Sequence, residues 1–285
     1  MNNLYSEAVR RLSTVCSQGE ARAMVRILLE DTFGVGMNDV YADKVRQFSA
    51  DELCEFHTML QRLENGEPVQ YVTGKAQFGE LMLRVNPGVL IPRPETLELA
   101  QWAAAECKAG ARILDMGTGS GCMAVFLAMN VENARVTAID ISESALETAK
   151  SNATLYKTDI NFRRADMLKP ETLPHEKYDL VISNPPYVCE SEKVEMERNV
   201  LEHEPATALF VDDEQPLVFY EAIARHAAAS LVPGGRLMVE INRRFPEETA
   251  QVLRRNGFVE TEMRKDMEGN PRIKKSYGNE ATHNP

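Results

Sequence analysis

The first 65 residues carry apolar side chains at three- and four-residue spacings, the pattern of helices with one buried face. The spacing recurs in LYSEAVRRL, GEARAMVRILLEDTF and SADELCEFHTMLQRLENG. Ser49, with Glu52 three residues later, has the form of a capping box before the third segment. The two-residue alternation of strands does not occur in this region of the sequence. The pattern therefore predicts a small helical-bundle domain over residues 1–72.

A different pattern begins near residue 73. Aromatic and β-branched residues surround Gly74, Gly79 and Pro87-Gly88 in the stretch VQYVTGKAQFGELMLRVNPGVLIPRPET. Glycine and proline turns between such residues are typical of hairpins. We predict a β-hairpin connector over residues 73–92.

From residue 93 onward, short apolar strands alternate with helices. This order implies parallel βαβ units, and hence an α/β domain with a mostly parallel sheet over 93–278, followed by a tail at 279–285. Ligands of such sheets bind at the carboxyl ends of the strands. The predicted strands are ARILDM, ARVTAID, INFRRA, YDLVIS, GRLMVEI and FVETEMR, and the predicted helices are 95–109, the segment after Gly121, SESALETAKSNATLY, about 217–231 and PEETAQVLRRNG.

Composition narrows the class of protein. Of the 285 residues, 44% are hydrophobic and 26% are charged, which is ordinary for a globular protein, and the net charge of −11 argues against stable nucleic-acid binding. The five cysteines are scattered, which indicates reduced thiols and neither a disulfide framework nor a metal site. The N-terminus MNNLYSEAVRRL has no apolar signal core, and no stretch approaches about 18 apolar residues. We expect a cytoplasmic protein that does not associate with membranes.

A glycine-rich turn follows the first predicted strand of the α/β region. In LDMGTGSGC, Gly117, Gly119 and Gly121 flank Thr118 and Ser120 and lead into a helix. Glycines there let a ligand lie against main-chain N–H groups. The G-x-G-x-G spacing differs from the dinucleotide fingerprint, and the lysine of a P-loop is missing.

Acidic residues follow the next two predicted strands. Asp140 ends the second strand, where a carboxylate accepts hydrogen bonds from ribose hydroxyls, and Asp166 follows the third, placed to meet an adenine amino group. Together with the glycine turn, these positions favour a nucleoside cofactor over simple turn chemistry. A cofactor without a pyrophosphate fits the compact loop, and S-adenosylmethionine is such a cofactor.

The segment SNPPYV ends the fourth predicted strand. A conjugated –NH₂ group is a poor nucleophile, and it attacks a methyl group only when its N–H bonds are held by acceptors. The side-chain oxygen of Asn184 and the main-chain carbonyl of Pro185 are two such acceptors. Pro185 and Pro186 stiffen the turn, and Tyr187 offers a face for a planar target. Catalysis would then consist mostly of positioning.

These motifs, GTGSG and NPPY, resemble those of the Rossmann-like class I S-adenosylmethionine-dependent methyltransferases. With GVLIPRPET, HEPATALF and KDMEGNPR, the chain is more closely similar to the PrmC/HemK family, which methylates the glutamine of the GGQ motif in peptide chain release factors. The resemblance extends over nearly the whole chain. It implies that S-adenosylmethionine is converted to S-adenosylhomocysteine and that the helical domain helps to dock the release factor.

The resemblance also implies roles for individual residues. Asn184, Pro185 and Tyr187 would be catalytic, and with Pro186 they would hold the glutamine amide. The cofactor would contact Gly117, Thr118, Gly119, Ser120, Gly121, Asp140, Asp166, Met167 and Asn184.

The chain departs from the family pattern at two places. Leu97 stands where the family commonly has an acid, and EINRRFP, which contains Asn242–Pro246, replaces a Glu-x-Gly pattern. These departures concern loops and partner fit. Arg93 and Glu95 belong either to the pocket or to an ordinary Arg-Pro-Glu helix start.

Two other functions remain open from the sequence. An adenine-N6 DNA or RNA methyltransferase faces the same chemical problem at an –NH₂ group, although flipping a base from a duplex favours a basic groove. A non-catalytic module that retains only the fold is the other, and the intact NPPY and glycine turn argue against it.

Overall fold

The computed structural model describes residues 3–42, 47–265, 269 and 271–278, so the predicted tail at 279–285 lies outside the described residues. The chain divides into two compact units. The smaller contains Met1–Lys75, Val85–Pro87 and Met196–His203, and the larger contains Ala76–Arg84, Gly88–Glu195 and Glu204–Pro285.

The smaller unit is helical, as the apolar spacing predicted. Its core includes Leu12, Leu28, Phe56 and Leu60, which are 1% exposed or less. The short helices α3, α5 and α9 were not anticipated. The helices are α1 (Asn3–Leu12), α2 (Gln18–Phe33), α3 (Met37–Tyr41), α4 (Ala50–Glu64), α5 (Val69–Thr73) and α9 (Arg198–His203).

The capping box at the start of α4 is confirmed. Ser49 Oγ accepts a hydrogen bond from the main-chain N–H of Glu52, and Glu52 Oε2 accepts one from the N–H of Ser49. Ser17 and Glu20 make the same pair of bonds at the start of α2. Each box satisfies two N–H groups that a helix end leaves without partners.

A two-stranded hairpin, β1 (Lys75–Phe78) and β2 (Leu81–Arg84), occupies the region predicted to hold one. Gly79 turns the chain with a φ of 61°. In β2 the buried residues Leu81 and Leu83 alternate with exposed ones, because successive side chains of a strand point to opposite faces.

The larger unit is the α/β region, and its strands and helices lie close to the predicted segments. The strands are β3 (Arg112–Met116), β4 (Arg135–Asp140), β5 (Ile160–Arg164), β6 (Tyr178–Ser183), β7 (Val188–Cys189), β8 (Phe210–Val211), β9 (Leu231–Glu240), β10 (Phe258–Lys265) and β11 (Pro271–Gly278), and the helices are α6 (Pro94–Glu106), α7 (Cys122–Asn130), α8 (Glu143–Leu155), α10 (Ala206–Leu209), α11 (Val218–Ser230) and α12 (Pro246–Arg255).

Seven strands form the main sheet in the order β10-β11-β9-β6-β3-β4-β5. The five strands from β9 to β5 are parallel, and β11 pairs antiparallel with both β9 and β10. The prediction of a mostly parallel sheet is confirmed. Strand β11 was missed, and FVETEMR is therefore not the last strand.

Both faces of the sheet are covered, as parallel strands require. Ile113 packs in a cluster with Leu99 of α6 and Val125 of α7, whereas the next residue, Leu114, packs in a second cluster with Tyr220 of α11. The alternation places one apolar cluster on each face. Because β3, β4, β5 and β6 are parallel, their carboxyl ends lie at one edge of the sheet, and the loops that follow them meet there.

Candidate active site

A cavity of about 390 Å³ lies at the carboxyl ends of these strands. This volume is within the range of small-molecule sites. Of the residues singled out from the sequence, Gly117, Thr118, Gly119, Ser120, Asp140, Asp166, Met167, Asn184 and Pro186 line it. Gly121, Pro185 and Tyr187 are not part of its lining among the described residues.

The glycine turn depends on backbone conformations that other residues rarely adopt. Gly117 and Gly121 have φ values of 77° and 79°. A Cβ at Gly117 would lie 3.1 Å from Cε of Met167, and one at Gly121 would lie 2.9 Å from Cβ of Ala149. Gly117 therefore keeps the cavity wall flat, whereas Gly121 lets the start of α7 approach α8.

Asp140 ends β4 beside the glycine turn. Its Oδ2 accepts a hydrogen bond of 2.9 Å from the N–H of Gly119, and its Oδ1 accepts one of 2.9 Å from the N–H of Ser142. The pKa of this carboxyl is raised, because the effect of burial exceeds that of the main-chain donors, which lower it. Each oxygen has a second lone pair, so Asp140 retains the capacity to accept from a ligand at the cavity edge.

Asp115 lies beneath the same turn and was not singled out from the sequence. It is fully buried, and its Oδ2 accepts a hydrogen bond of 2.7 Å from Oγ1 of Thr118. Burial raises the pKa of Asp115 to about 7. The contact anchors Thr118, the second residue of the turn, to β3.

Asn152 was also missed. Its side-chain Nδ2 donates to the main-chain oxygens of Ser120 and Arg84 at 2.9 Å, and its Oδ1 accepts from the N–H of Arg84 at 2.7 Å. The side chain is fully buried in α8. It thereby connects the glycine turn to strand β2 of the hairpin.

Asp166 and Met167 follow β5 and face the cavity. Asp166 Oδ1 accepts a hydrogen bond from the N–H of Leu168, and Lys169 Nζ lies 3.5 Å from Asp166 Oδ2. Thr172 Oγ1 accepts a hydrogen bond from the Asp166 N–H and so closes the loop on itself.

Asn184 comes directly after β6. Its Nδ2 donates a hydrogen bond of 2.9 Å to Oγ1 of Thr96, a cavity residue in the first turn of α6. Neither Asn184 Oδ1 nor the main-chain carbonyl of Pro185 accepts a hydrogen bond within the part of the chain that the structure describes. These two oxygens are the acceptors that the sequence predicted for an –NH₂ group.

Both the side-chain hydroxyl and the main-chain oxygen of Tyr187 make hydrogen bonds. Its hydroxyl donates to Glu240 Oε1 at 2.7 Å, and its main-chain oxygen accepts from Asn242 Nδ2 at 2.8 Å. The pKa of Glu240 is raised, because the effect of burial exceeds that of the hydrogen bonds from Tyr187 and Thr96, which lower it. The pKa of Tyr187 is raised well above its usual value by burial. Tyr187 thus fixes the loop, and its stacking on a planar target stays a prediction.

Asn242 belongs to the segment that departs from the family pattern. It is 3% exposed, and its Nδ2 also donates to Glu192 Oε2 at 2.8 Å. Asn242, at a position where the resemblance led us to expect glycine, therefore joins the segment after β9 to the NPPY loop.

Arg93 and Glu95 do not line the cavity among the described residues. Arg93 precedes the helix that begins at Pro94, and its Nη2 lies 2.6 Å from Oε1 of the buried Glu204. Glu204 also accepts from the N–H of Ile91. This ion pair joins IPRPE, which lies between the cavity residues Leu90 and Thr96, to HEPAT, which supplies Pro205 and Thr207 to the cavity wall.

Leu97, the other departure, packs against the apolar cluster that contains Leu99 and Phe78. Its Cδ1 would lie 3.2 Å from a Cβ at Gly79. A carboxylate here would have to lie against apolar side chains of the hairpin.

In residues 3–42, 47–265, 269 and 271–278, no helix combines the length and apolar character needed to cross a bilayer. Within the same residues, no group of three or more His, Cys, Asp or Glu side chains has the arrangement of a metal site.

Two family models match the chain. Residues 99–269 match the methyltransferase small domain, and residues 3–74 match the PrmC N-terminal domain. The α/β region and the helical region thus each have a family of their own.

Relatives match the chain over nearly its whole length. A release factor glutamine methyltransferase of Bacteroides thetaiotaomicron is 40% identical over 273 residues, which is 96% of this chain and 98% of that protein. One from Flavobacterium psychrophilum is 39% identical over 278 residues, covering 96% of this chain and 97% of that protein.

A solved structure shows the same fold. The T. thermophilus 16S rRNA N2 G1207 methyltransferase, in complex with AdoMet and guanosine, superimposes with a TM-score of 0.52 at 18% identity, over 72% of this chain and 49% of that one. At this identity the likeness concerns the fold alone, and it confirms the class I methyltransferase architecture.

Proposed function

Because the chain belongs to the release factor glutamine methyltransferase family, we propose that it methylates the GGQ glutamine of peptide chain release factors. The methyl group would come from S-adenosylmethionine and be transferred to the side-chain amide nitrogen, leaving S-adenosylhomocysteine. The observation that carries this proposal is a single cavity lined by the glycine turn, Asp140 and Asn184.

The cofactor end of the cavity fits S-adenosylmethionine. The flat wall at Gly117 leaves room that a Cβ would fill against Met167, and Asp140 has lone pairs for ribose hydroxyls. Asp166 and Met167 would border the adenine. When bound, the cofactor supplies a methyl group on a positively charged sulfur.

The residues at the other end of the cavity would hold the substrate amide nitrogen, which is a weak nucleophile. The lone pair of a primary amide is delocalised into the carbonyl, so the nitrogen attacks only when it is held in line with the methyl carbon. Asn184 Oδ1 and the Pro185 carbonyl would accept the two N–H bonds of the substrate amide. The cofactor would supply the methyl group for the new C–N bond, its sulfur would keep the electron pair of the broken methyl–sulfur bond, and the amide nitrogen held by Asn184 and Pro185 would lose one proton to solvent.

The partner follows from the substrate. We propose that the helical unit, residues 1–72 in the sequence interpretation, contributes to docking the release factor. Release factors act on ribosomes, and we therefore place the reaction in the cytoplasm. The net charge of −11 supports a protein substrate over a duplex nucleic acid.

The test is mass spectrometry of a release factor incubated with the protein and S-adenosylmethionine. We expect one added methyl group on the GGQ glutamine, and we expect its loss in Asn184→Ala. Asn130→Ala is the control, because the side chain of this exposed asparagine bonds, among the described residues, only the main-chain oxygen of Phe126 in its own helix. An unmodified release factor, together with methylated adenine in a parallel nucleic-acid assay, would replace the proposal with the adenine-N6 alternative.

A further inference from the structure

We propose that Thr96 and Glu240 are positioning residues that fix the Asn184 carboxamide with its oxygen toward the substrate. The role rests on the proposed function, because it concerns how the site holds an amide N–H donor. None of the sequence motifs had assigned a role to either residue.

The chain of hydrogen bonds starts at Glu240, the last residue of β9. This carboxylate is 1% exposed, and both of its oxygens accept from hydroxyl groups. Tyr187 donates to Oε1 at 2.7 Å, and Thr96 donates to Oε2 at 2.8 Å. A hydroxyl has a single proton, and both hydroxyls donate theirs to Glu240.

Thr96 transmits this constraint to Asn184. A hydroxyl that has committed its proton offers only lone pairs to further partners. Its contact with Asn184, 2.9 Å long, therefore requires the Nδ2 amino group on the Thr96 side. The reverse orientation would set the amide oxygen against the lone pairs of Oγ1.

The orientation of Asn184 determines what the cavity accepts. With Nδ2 on the Thr96 side, Oδ1 lies on the other side of the carboxamide and accepts no hydrogen bond from the described residues. An acceptor at this point holds an N–H donor and disfavours a carboxylate oxygen. Glu240 and Thr96 thus select glutamine over glutamate without touching the substrate nitrogen themselves.

Thr96→Val tests the relay, because valine has a similar shape and no hydroxyl. We expect kcat to fall about 10- to 100-fold, as for a misplaced catalytic group, with a KM for the release factor close to that of the wild type. Thr96→Ser should recover most of the loss. Thr249→Val is the matched control, since Thr249 is also buried and its hydroxyl bonds, within the described part of the chain, only the main-chain oxygen of Phe245 at the start of α12.

Glu240→Gln perturbs the same relay while Thr96 stays in place. An amide at 240 sets an NH₂ group against one of the two hydroxyls, and a lower kcat with an unchanged dissociation constant for S-adenosylmethionine is again expected. Wild-type kcat in both Thr96→Val and Glu240→Gln would overturn the proposal. So would a loss of kcat that Thr249→Val reproduces.

A second measurement does not depend on turnover. In ¹⁵N–¹H spectra, the side-chain NH₂ signal of Asn184, assigned by its absence in Asn184→Ala, should exchange slowly with solvent in the wild type and quickly in Thr96→Val. Equal exchange in the two proteins would refute the relay even if the wild type methylated a different substrate. An unmodified release factor would refute only the proposed function.

Discussion

Gly121→Ala tests the close approach of α7 and α8 beneath the glycine turn. The added methyl group would lie 2.9 Å from Cβ of Ala149 and 3.1 Å from its Cα, at a φ of 79°. Both the backbone conformation and the packing therefore oppose it. Gly110 separates the two effects, because it has a φ of 77° and a Cβ added there would meet no atom within 4 Å.

The expected costs follow from these contacts. Gly110→Ala should lower the free energy of unfolding by about 1 kcal/mol, the cost of a left-handed backbone for alanine. Gly121→Ala adds overpacking against a helix, which brings its cost to about 2–4 kcal/mol. Ala149→Gly removes the opposing methyl group. The double variant should therefore lose less stability than the two single variants lose in total.

Urea denaturation followed by the fluorescence of Trp102 is the assay. Trp102 is the one tryptophan of the chain and is buried in α6, so the signal reports on the larger unit. A loss of stability in Gly121→Ala no greater than in Gly110→Ala would refute the packing argument. Additive costs in the double variant would show that Ala149 is not the group that opposes the new methyl.

Two further predictions concern titration. The pKa of Asp115 is about 7 in the folded protein against a usual value of 3.8, so the folded state retains a proton that the unfolded state releases, and the free energy of unfolding should fall as pH rises from about 4 to about 7. Asp115→Asn should remove on the order of 4 kcal/mol of this pH-dependent decrease in the free energy of unfolding, measured by urea titrations at several pH values. The same pH dependence in the wild type and the variant would contradict the assignment. Burial raises the pKa of Cys122 to about 12, so iodoacetamide at pH 8 should alkylate the exposed Cys54 well before Cys122, and equal rates in the native protein would contradict the buried environment.

The parts of the fold that sequence predicted are those where local pattern and tertiary packing agree. Strands β3, β4 and β6 are mostly apolar, and most of their residues on both faces are buried. The capping box at Ser49 is a local motif that needs no tertiary partner. Ser17 and Glu20 have the same spacing, so the second box was available from the sequence and was missed.

Strand β11 could not be recognised from hydropathy. Its residues Lys274 and Lys275 are 3% exposed, although lysine pairs in a sequence usually indicate a solvated surface. Lys275 is paired with Glu106 and Glu262, and its Nζ lies 4.7 Å from the ring centre of Trp102. The partners that make this burial possible are distant in sequence, and therefore no local pattern shows them.

The candidate site, too, contains residues that local motifs predict and residues that come together only through tertiary packing. The cavity-lining glycines, Asp140 and Asn184 stand in motifs at strand ends, where topology alone brings them together. Thr96 and Glu240 are 144 residues apart, and their meeting depends on the packing of α6 against β9. Thr96 lies one residue past Glu95 in RPET, so the motif was noticed but its buried member was not.

The three hydrogen bonds of Asn152 have a consequence for anyone who wishes to dissect the protein into fragments. Two of them end on the main chain of Arg84, in a hairpin that the sequence interpretation had treated as a connector. A shortened polypeptide that starts at the LIPRPET motif would lack those partners of the buried Asn152 amide, which also bonds the glycine turn. A catalytic fragment that retains the hydrogen bonds of Asn152 must therefore include the hairpin.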